Sequence, residues 1–351
     1  MPSIKENDIK SAIRDNTVSG VYYICGTETY QIERTAKSII KSVAGNDAND
    51  FNLQKFAGKG IDISKVCDAI CSVPFFADKK CIVINDIDFA SLGASDFELL
   101  KNNIKSIPET SVLVIYITGF TVSPTKDKKN AQNKFITAIS KSGAKVLEIL
   151  AKRSDELAGD IQRDAEAGGY RIARADARYL AELTLCNQMM ISNELKKIYA
   201  YASDKMITKN VIDKLVTKQV SVSAFNLVNA IINDNKTRAF SIVDDLFTQR
   251  TDITLITTAM STSLFDLYHA KIGYDCGRTP ENIVEDYSCY QRKFAIENMY
   301  KMARGINIKF IYECLNLMKQ ADEDYKTKKF QKREYLETII MNMFEAKKRY
   351  K

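Results

Sequence analysis

Short runs of β-branched and aliphatic residues, confined to the first 150 positions and separated by stretches of helical periodicity, constrain this chain more than any other feature. Residues 18–25 (Val-Ser-Gly-Val-Tyr-Tyr-Ile-Cys), 81–84 (Cys-Ile-Val-Ile), 112–117 (Val-Leu-Val-Ile-Tyr-Ile) and 146–149 (Val-Leu-Glu-Ile) read as strands. The second and third are apolar on both faces, as strands buried in a parallel sheet are. Between the strands, residues 30–43 have helical character. Ile63, Val66, Cys67, Ile70 and Cys71 recur at i, i+3, i+4, i+7 and i+8, the apolar face of an amphipathic helix. Strands alternating with helices predict βαβ units, hence an α/β domain whose parallel sheet is covered on both sides.

Beyond residue 150 no further strand is predicted. Residues 154–216 read as short helices, with turn signals at Gly168-Gly169 and Ser203-Asp204, and Thr208 stands as an N-cap before an apolar-periodic run. From about residue 221 the chain is helical to its end, closing with Leu336, Ile339, Ile340, Met343 and Phe344 along one face. A chain of 351 residues is long enough for two or three domains. The predicted organisation is an α/β domain over 1–150, a small helical domain over 151–218 and a larger helical domain over 219–351.

Several function classes fall away on rare residues. Histidine occurs once, at His269, which excludes zinc sites needing two or more imidazoles, and no nucleophile motif lies beside it. It reads as an ordinary helical histidine. The eight cysteines form no C-x-x-C pair; Cys67 and Cys71 share a helix face, where reduced cysteine behaves as a small apolar residue. No metal and no cofactor are expected. The longest purely apolar run, residues 112–117, is far short of the roughly 20 residues of a membrane helix. The first residues carry acids and no apolar core, so they do not read as a signal peptide. A cytoplasmic protein with free thiols and no membrane association is the expectation.

Charge is unevenly placed. Residues 326–351 hold nine basic and three acidic side chains, nearly all of the net +7. Such a helix is either a contact for nucleic-acid phosphates or an acidic partner, or a solvated face.

An α/β domain followed by a small helical one is the layout of AAA+ nucleoside triphosphatases, which carry G-x-x-x-x-G-K-[ST] after the first strand. Here that stretch is Gly26-Thr27-Glu28-Thr29-Tyr30-Gln31-Ile32-Glu33-Arg34, with no second glycine and no Gly-Lys-Ser/Thr. Glu28 puts negative charge where phosphates would lie. The strand at 81–84 runs on to Asp86 and Asp88, as a magnesium-binding strand would, but without a phosphate loop these acids read equally as capping residues. Nucleotide binding and hydrolysis are not expected.

Residues 72–80 (Ser-Val-Pro-Phe-Phe-Ala-Asp-Lys-Lys) join the amphipathic helix to the strand at 81. Pro74 stops the helix and biases Val73 toward an extended conformation. Phe75 and Phe76 are adjacent aromatics in an irregular connection. Two readings stand: an exposed, proline-fixed anchor for a partner's pocket, or a pair packing down the helix–strand junction.

Together these features resemble the delta subunit of the bacterial DNA polymerase III clamp loader. Residues 22–32 (Tyr-Tyr-Ile-Cys-Gly-Thr-Glu-Thr-Tyr-Gln-Ile) resemble the family's first strand and Gly-x-Glu segment. Residues 73–84 (Val-Pro-Phe-Phe-Ala-Asp-Lys-Lys-Cys-Ile-Val-Ile) resemble its most recognisable motif. Residues 193–198 are similar to the Glu-Leu-x-Lys-Leu helix of its second domain, and 224–231 and 320–326 to helices of its third. The chain departs from the pattern by lacking tryptophan and by having cysteine at 67, 71 and 81.

The resemblance implies an AAA+-like domain without ATPase activity, a helical lid and a C-terminal helical collar that joins other loader subunits. It implies binding and opening of the ring-shaped sliding clamp (the beta subunit), with Phe75 and Phe76 as anchors and Val73 and Pro74 shaping their loop. Because loaders enclose primed DNA, Lys126, Lys128, Lys129 and the basic C-terminus become candidates for phosphate contact. The alternatives are an AAA+ ATPase with a degenerate phosphate loop, a sibling subunit of the delta prime type, and a helical nucleic-acid adaptor acting through its basic tail. The sibling usually carries a Ser-Arg-Cys motif and zinc cysteines, which this chain lacks.

Overall fold

The computed structural model describes residues 4–45, 51–58, 60–124, 130–216 and 219–350. It divides into two compact units, Met1–Ala151 and Lys152–Lys351.

In the first unit the elements run α1 (Glu6–Arg14), β1 (Gly20–Gly26), α2 (Thr29–Ala44), β2 (Leu53–Ala57), α3 (Ile63–Cys71), β3 (Lys80–Asn85), α4 (Ala94–Lys105), β4 (Ser111–Tyr116), α5 (Ala131–Ser140) and β5 (Lys145–Ile149). The strands form a parallel five-stranded sheet in the order β2-β3-β4-β1-β5. Side chains alternate across a strand, so each central strand feeds two cores. Val21, Tyr23, Cys25, Ile82, Ile84, Leu113 and Ile115 pack with α3, α4 and α5. Tyr22, Ile24, Cys81, Val83, Val112 and Val114 pack with α1 and α2. That double burial is why these strands read as continuous apolar runs.

β2 was not predicted. Leu-Gln-Lys-Phe-Ala has no β-branched residue, and Gln54 and Lys55 are exposed on the sheet edge. Polar side chains on a short edge strand are a common device against edge-to-edge pairing, and they erase the apolar signal. The helical pattern at 63–71 is α3, capped by Asp62, whose carboxylate accepts the Lys65 amide at 3.2 Å. Cys67 is buried as expected. Cys71 is not: it is exposed, and its thiol donates to Asn103 Oδ1 at 3.2 Å.

The second unit contains α6 (Ser154–Ala167), β6 (Arg171–Ile172), α7 (Arg174–Leu183), α8 (Gln188–Tyr201), β7 (Met206–Ile207), α9 (Lys209–Leu215), α10 (Val220–Ile232), α11 (Lys236–Thr248), α12 (Ile253–Asp275), α13 (Pro280–Asp286), a 3₁₀ turn (Tyr290–Arg292), α14 (Lys293–Ala303), α15 (Ile308–Thr327) and α16 (Lys332–Arg349). The expectation that strands end at 150 needs one correction: β6 and β7 pair in parallel over two residues each. Two-residue strands are too short to leave an alternating pattern. Thr208 occupies the N-cap of α9 in extended conformation, but its side chain makes no capping bond.

Two larger hydrophobic cores lie in this unit. One gathers Leu157, Ile161, Leu180, Leu195, Ile198 and Ile212. The other is built on α12, with α10, α11, α14, α15 and α16 around it. α13 closes on α12 at Gly273, where a Cβ would lie 2.3 Å from Ile283 Cδ1. α15 and α16 are tied by the buried Asp324. It accepts from Gln320 Nε2 at 2.9 Å and the Tyr335 hydroxyl, and pairs with Lys328 Nζ at 2.8 Å. These contacts hold its carboxyl down at about 2, the bonds from Lys328 and Tyr335 acting most strongly. Among the described residues no single helix is long and apolar enough to cross a membrane.

Candidate functional site

The carboxyl ends of the strands in a parallel sheet are where a nucleotide would be sought. Here backbone fills that place. The Thr27 and Glu28 amides, which in a phosphate loop would face the ligand, both donate to the Ile149 carbonyl, at 2.8 and 3.3 Å. Thr27 Oγ1 accepts the Ala151 amide at 2.9 Å. Gly26 makes this approach possible: its φ is 138°, and a Cβ there would stand 2.0 Å from the Ile149 oxygen. Glu28 occupies the N-cap of α2 without a side-chain cap bond.

The acids after β3 are spent locally too. Asp86 accepts the Thr118 amide at 2.5 Å, the Gly119 amide at 2.8 Å and the Thr118 hydroxyl at 3.1 Å. Asp88 accepts the Ala90 amide at 2.9 Å. Both carboxylates cap loops, one of the two roles open to them from sequence.

The opposite edge of the sheet, at the amino ends of β2 and β3, carries the aromatic pair. Val73 is 85% exposed, Phe75 58% and Phe76 95%. Neither phenylalanine packs down the junction between α3 and β3. Phe76 has φ +47°, a left-handed conformation that costs a bulky L-residue and persists only where surrounding contacts impose it. The two rings meet edge-on with centroids 4.6 Å apart, and Phe51, itself 81% exposed, lies 5.4 Å from Phe75.

Three polar side chains hold this loop. Asn52 is buried, and its amide group both accepts the Phe75 N–H at 2.6 Å and donates to the Phe75 carbonyl at 2.9 Å. Lys80, buried at the start of β3, donates to the Ala69 carbonyl at 2.5 Å, the Ser72 hydroxyl at 2.7 Å and the Ser72 carbonyl. It thereby satisfies carbonyls that the end of α3 leaves open. Burial pulls the Lys80 ammonium below its ordinary range. Lys79 donates to the Val18 carbonyl at 2.6 Å.

Phe51, Asn52 and the role of Lys80 were missed in the sequence. Phe51 and Asn52 precede β2, whose pattern is silent, and no local signal joins them to residue 75.

Lys126, Lys128 and Lys129 lie outside the described residues. In the basic C-terminal segment, Lys326 pairs with Asp322, Lys348 with Glu345, and Arg333 with Glu337 and Asp244. Lys347 lies over the Phe310 ring at 5.3 Å. His269 stacks on Tyr287 at 3.8 Å, and burial, with Arg292 adding, lowers its pKa. Burial pushes the Cys81 and Cys186 thiols up to about 12, away from nucleophilic thiolate character. Among the described residues no group of His, Cys, Asp and Glu side chains is arranged to hold a metal ion.

The sequence model of the DNA polymerase III delta subunit matches residues 22–149, and that of the family's C-terminal domain matches residues 221–343. The chain belongs to the DNA polymerase III delta subunit family. The DNA polymerase III subunit delta of Bacillus subtilis (strain 168) is 22% identical over 343 residues, 96% of each chain. The solved structure of the Bacillus subtilis DNA clamp loader delta protein superposes with a TM-score of 0.82 at 19% identity, covering 97% of this chain and 99% of that one. The fold is therefore that of the clamp-loader delta subunit: a parallel-sheet domain followed by helices. Membership makes this protein a non-catalytic member of the clamp-loading complex in DNA replication, with catalysis in other subunits.

Proposed function

We propose that this delta subunit binds the ring-shaped sliding clamp through Phe75 and Phe76, with Val73 and Pro74 shaping the loop, and helps open one interface of the ring for loading onto primed DNA. The observation that carries the reading is the exposure of both rings on a short loop whose backbone is already fixed. Two aromatic side chains leaving water contribute roughly 1.5–3 kcal/mol each before association costs. Part of that energy goes into stabilising a clamp surface that is distorted in the open ring.

The remaining parts of the reading follow from the family. Residues 151–218 act as the lid and residues 219–351 as the collar that meets other loader subunits. Lys126, Lys128 and Lys129 are the candidates for contact with the phosphates of primed DNA. The protein works in the cytoplasm with the replication machinery. Two larger cores in the second unit, one whose buried residues fall within 157–216 and one whose buried residues fall within 224–346, support the division between lid and collar.

Release of a clamp from nicked circular DNA by this protein alone, without ATP, tests the opening role. The wild-type chain accelerates release, and the Phe75→Ala/Phe76→Ala variant leaves it at the spontaneous rate. Equal acceleration by both proteins would reject the loop as the opening element.

A further inference from the structure

The exposed loop is held from across the sheet edge. Asn52 stands immediately before β2, and its own carbonyl accepts the Cys81 amide at 2.7 Å, so its backbone is fixed to the first residues of β3. From that anchored position its side chain engages both polar groups of the Phe75 backbone, donor and acceptor together. A residue whose N–H and C=O are both taken by one buried amide has little freedom left in φ and ψ. The next residue, Phe76, carries the left-handed backbone that an unconstrained phenylalanine leaves readily.

We propose that Asn52 is a positioning residue for partner docking: acting through the Phe75 backbone, it holds Phe75 and Phe76 in their docking geometry before the partner arrives. The inference rests on the reading of the loop as the clamp-docking surface. Asn52 is itself buried, so it acts without touching the clamp. Lys80 fixes the loop's first residue, Ser72, while Asn52 fixes its fourth, Phe75. Without Asn52 the two rings sample many arrangements, and apparent affinity falls by the fraction of molecules still competent. The loss then belongs to the association rate, because a correctly docked loop makes the same contacts and dissociates as before.

The test compares full-length wild type, Asn52→Ala, Asn52→Asp and Phe75→Ala/Phe76→Ala against the sliding clamp by surface plasmon resonance. Thermal unfolding and amide hydrogen exchange across residues 73–77 are measured alongside. Asn52→Ala is expected to weaken binding about tenfold through the association rate, with dissociation unchanged and faster exchange of the Phe75 amide. Asn52→Asp retains an acceptor for the Phe75 N–H but no donor for its carbonyl, and falls between. Should Asn52→Ala fail to melt cooperatively, Asn52→Asp decides in its place. Wild-type association by both Asn52 variants, with the double phenylalanine variant inactive, would overturn the positioning role and leave the docking reading standing. Undiminished binding by the double variant would remove the docking reading itself.

Discussion

At the carboxyl ends of β1 and β5 backbone meets backbone, with the Thr27 and Glu28 amides on the Ile149 carbonyl and Gly26 allowing the approach. At the amino ends of β2 and β3 two phenylalanine rings stand in solvent. Parallel sheets ordinarily place their ligand sites at the first of these edges. This delta subunit keeps the sheet and the helix that follows β1, yet it fills the nucleotide position with its own chain and places its exposed apolar surface at the other edge. The closed sheet end is thus marked by more than the absence of a phosphate-loop lysine. Amides left pointing into an empty crevice would be unsatisfied, and here a neighbouring strand end supplies their acceptor.

The largest expected effect falls on the closed edge. Gly26→Ala forces a Cβ into the Ile149 carbonyl in a backbone region that L-residues avoid, so unfolding free energy should drop by about 3 kcal/mol or more. Chemical denaturation measures this, and a change below about 1 kcal/mol would mean that the edge yields easily. Next comes Asp86→Ala, which leaves the Thr118 and Gly119 amides without their acceptor, at a cost of about 1–3 kcal/mol. Neither substitution touches the open edge, so clamp affinity per folded molecule should be retained in both.

Smaller effects belong to the open edge and to the helical unit. Phe51→Ala removes a ring beside Phe75 while leaving the Asn52 bonds in place, and should weaken clamp binding about threefold to tenfold, roughly 0.7–1.4 kcal/mol. A full loss would make Phe51 an anchor of the same rank as Phe75 and Phe76. Asp324→Asn tests the contact between α15 and α16. Its carboxyl is held at about 2, below the ordinary 3.8, so the stability it contributes is complete above about pH 4 and declines as pH falls toward 2. The stability difference between wild type and Asp324→Asn should therefore shrink with acidification, and a difference constant from about pH 6 to 3 would contradict the assignment.

Legibility in the sequence followed burial. The runs at 81–84, 112–117 and 146–149 sit between cores on both faces and announced themselves as strands. β2 lies on the edge with Gln54 and Lys55 outward, and nothing in Leu-Gln-Lys-Phe-Ala marked it. Phe75 and Phe76 were conspicuous as a pair. Whether they point outward depends on Asn52 and Lys80, contacts that local sequence does not encode. Likewise the missing phosphate-loop residues were plain, while the partner that occupies the Thr27 and Glu28 amides comes from the far end of the domain.

The measurement that bears most directly on the account is surface plasmon resonance of this chain against its sliding clamp, with and without ATP, for wild type and Phe75→Ala/Phe76→Ala. Wild-type binding should need no nucleotide and should not change when ATP is added, and the double variant should lose at least about a hundredfold, at the roughly 1.4 kcal/mol per tenfold that two buried rings readily exceed. Wild-type affinity in a double variant that melts like the parent would contradict it.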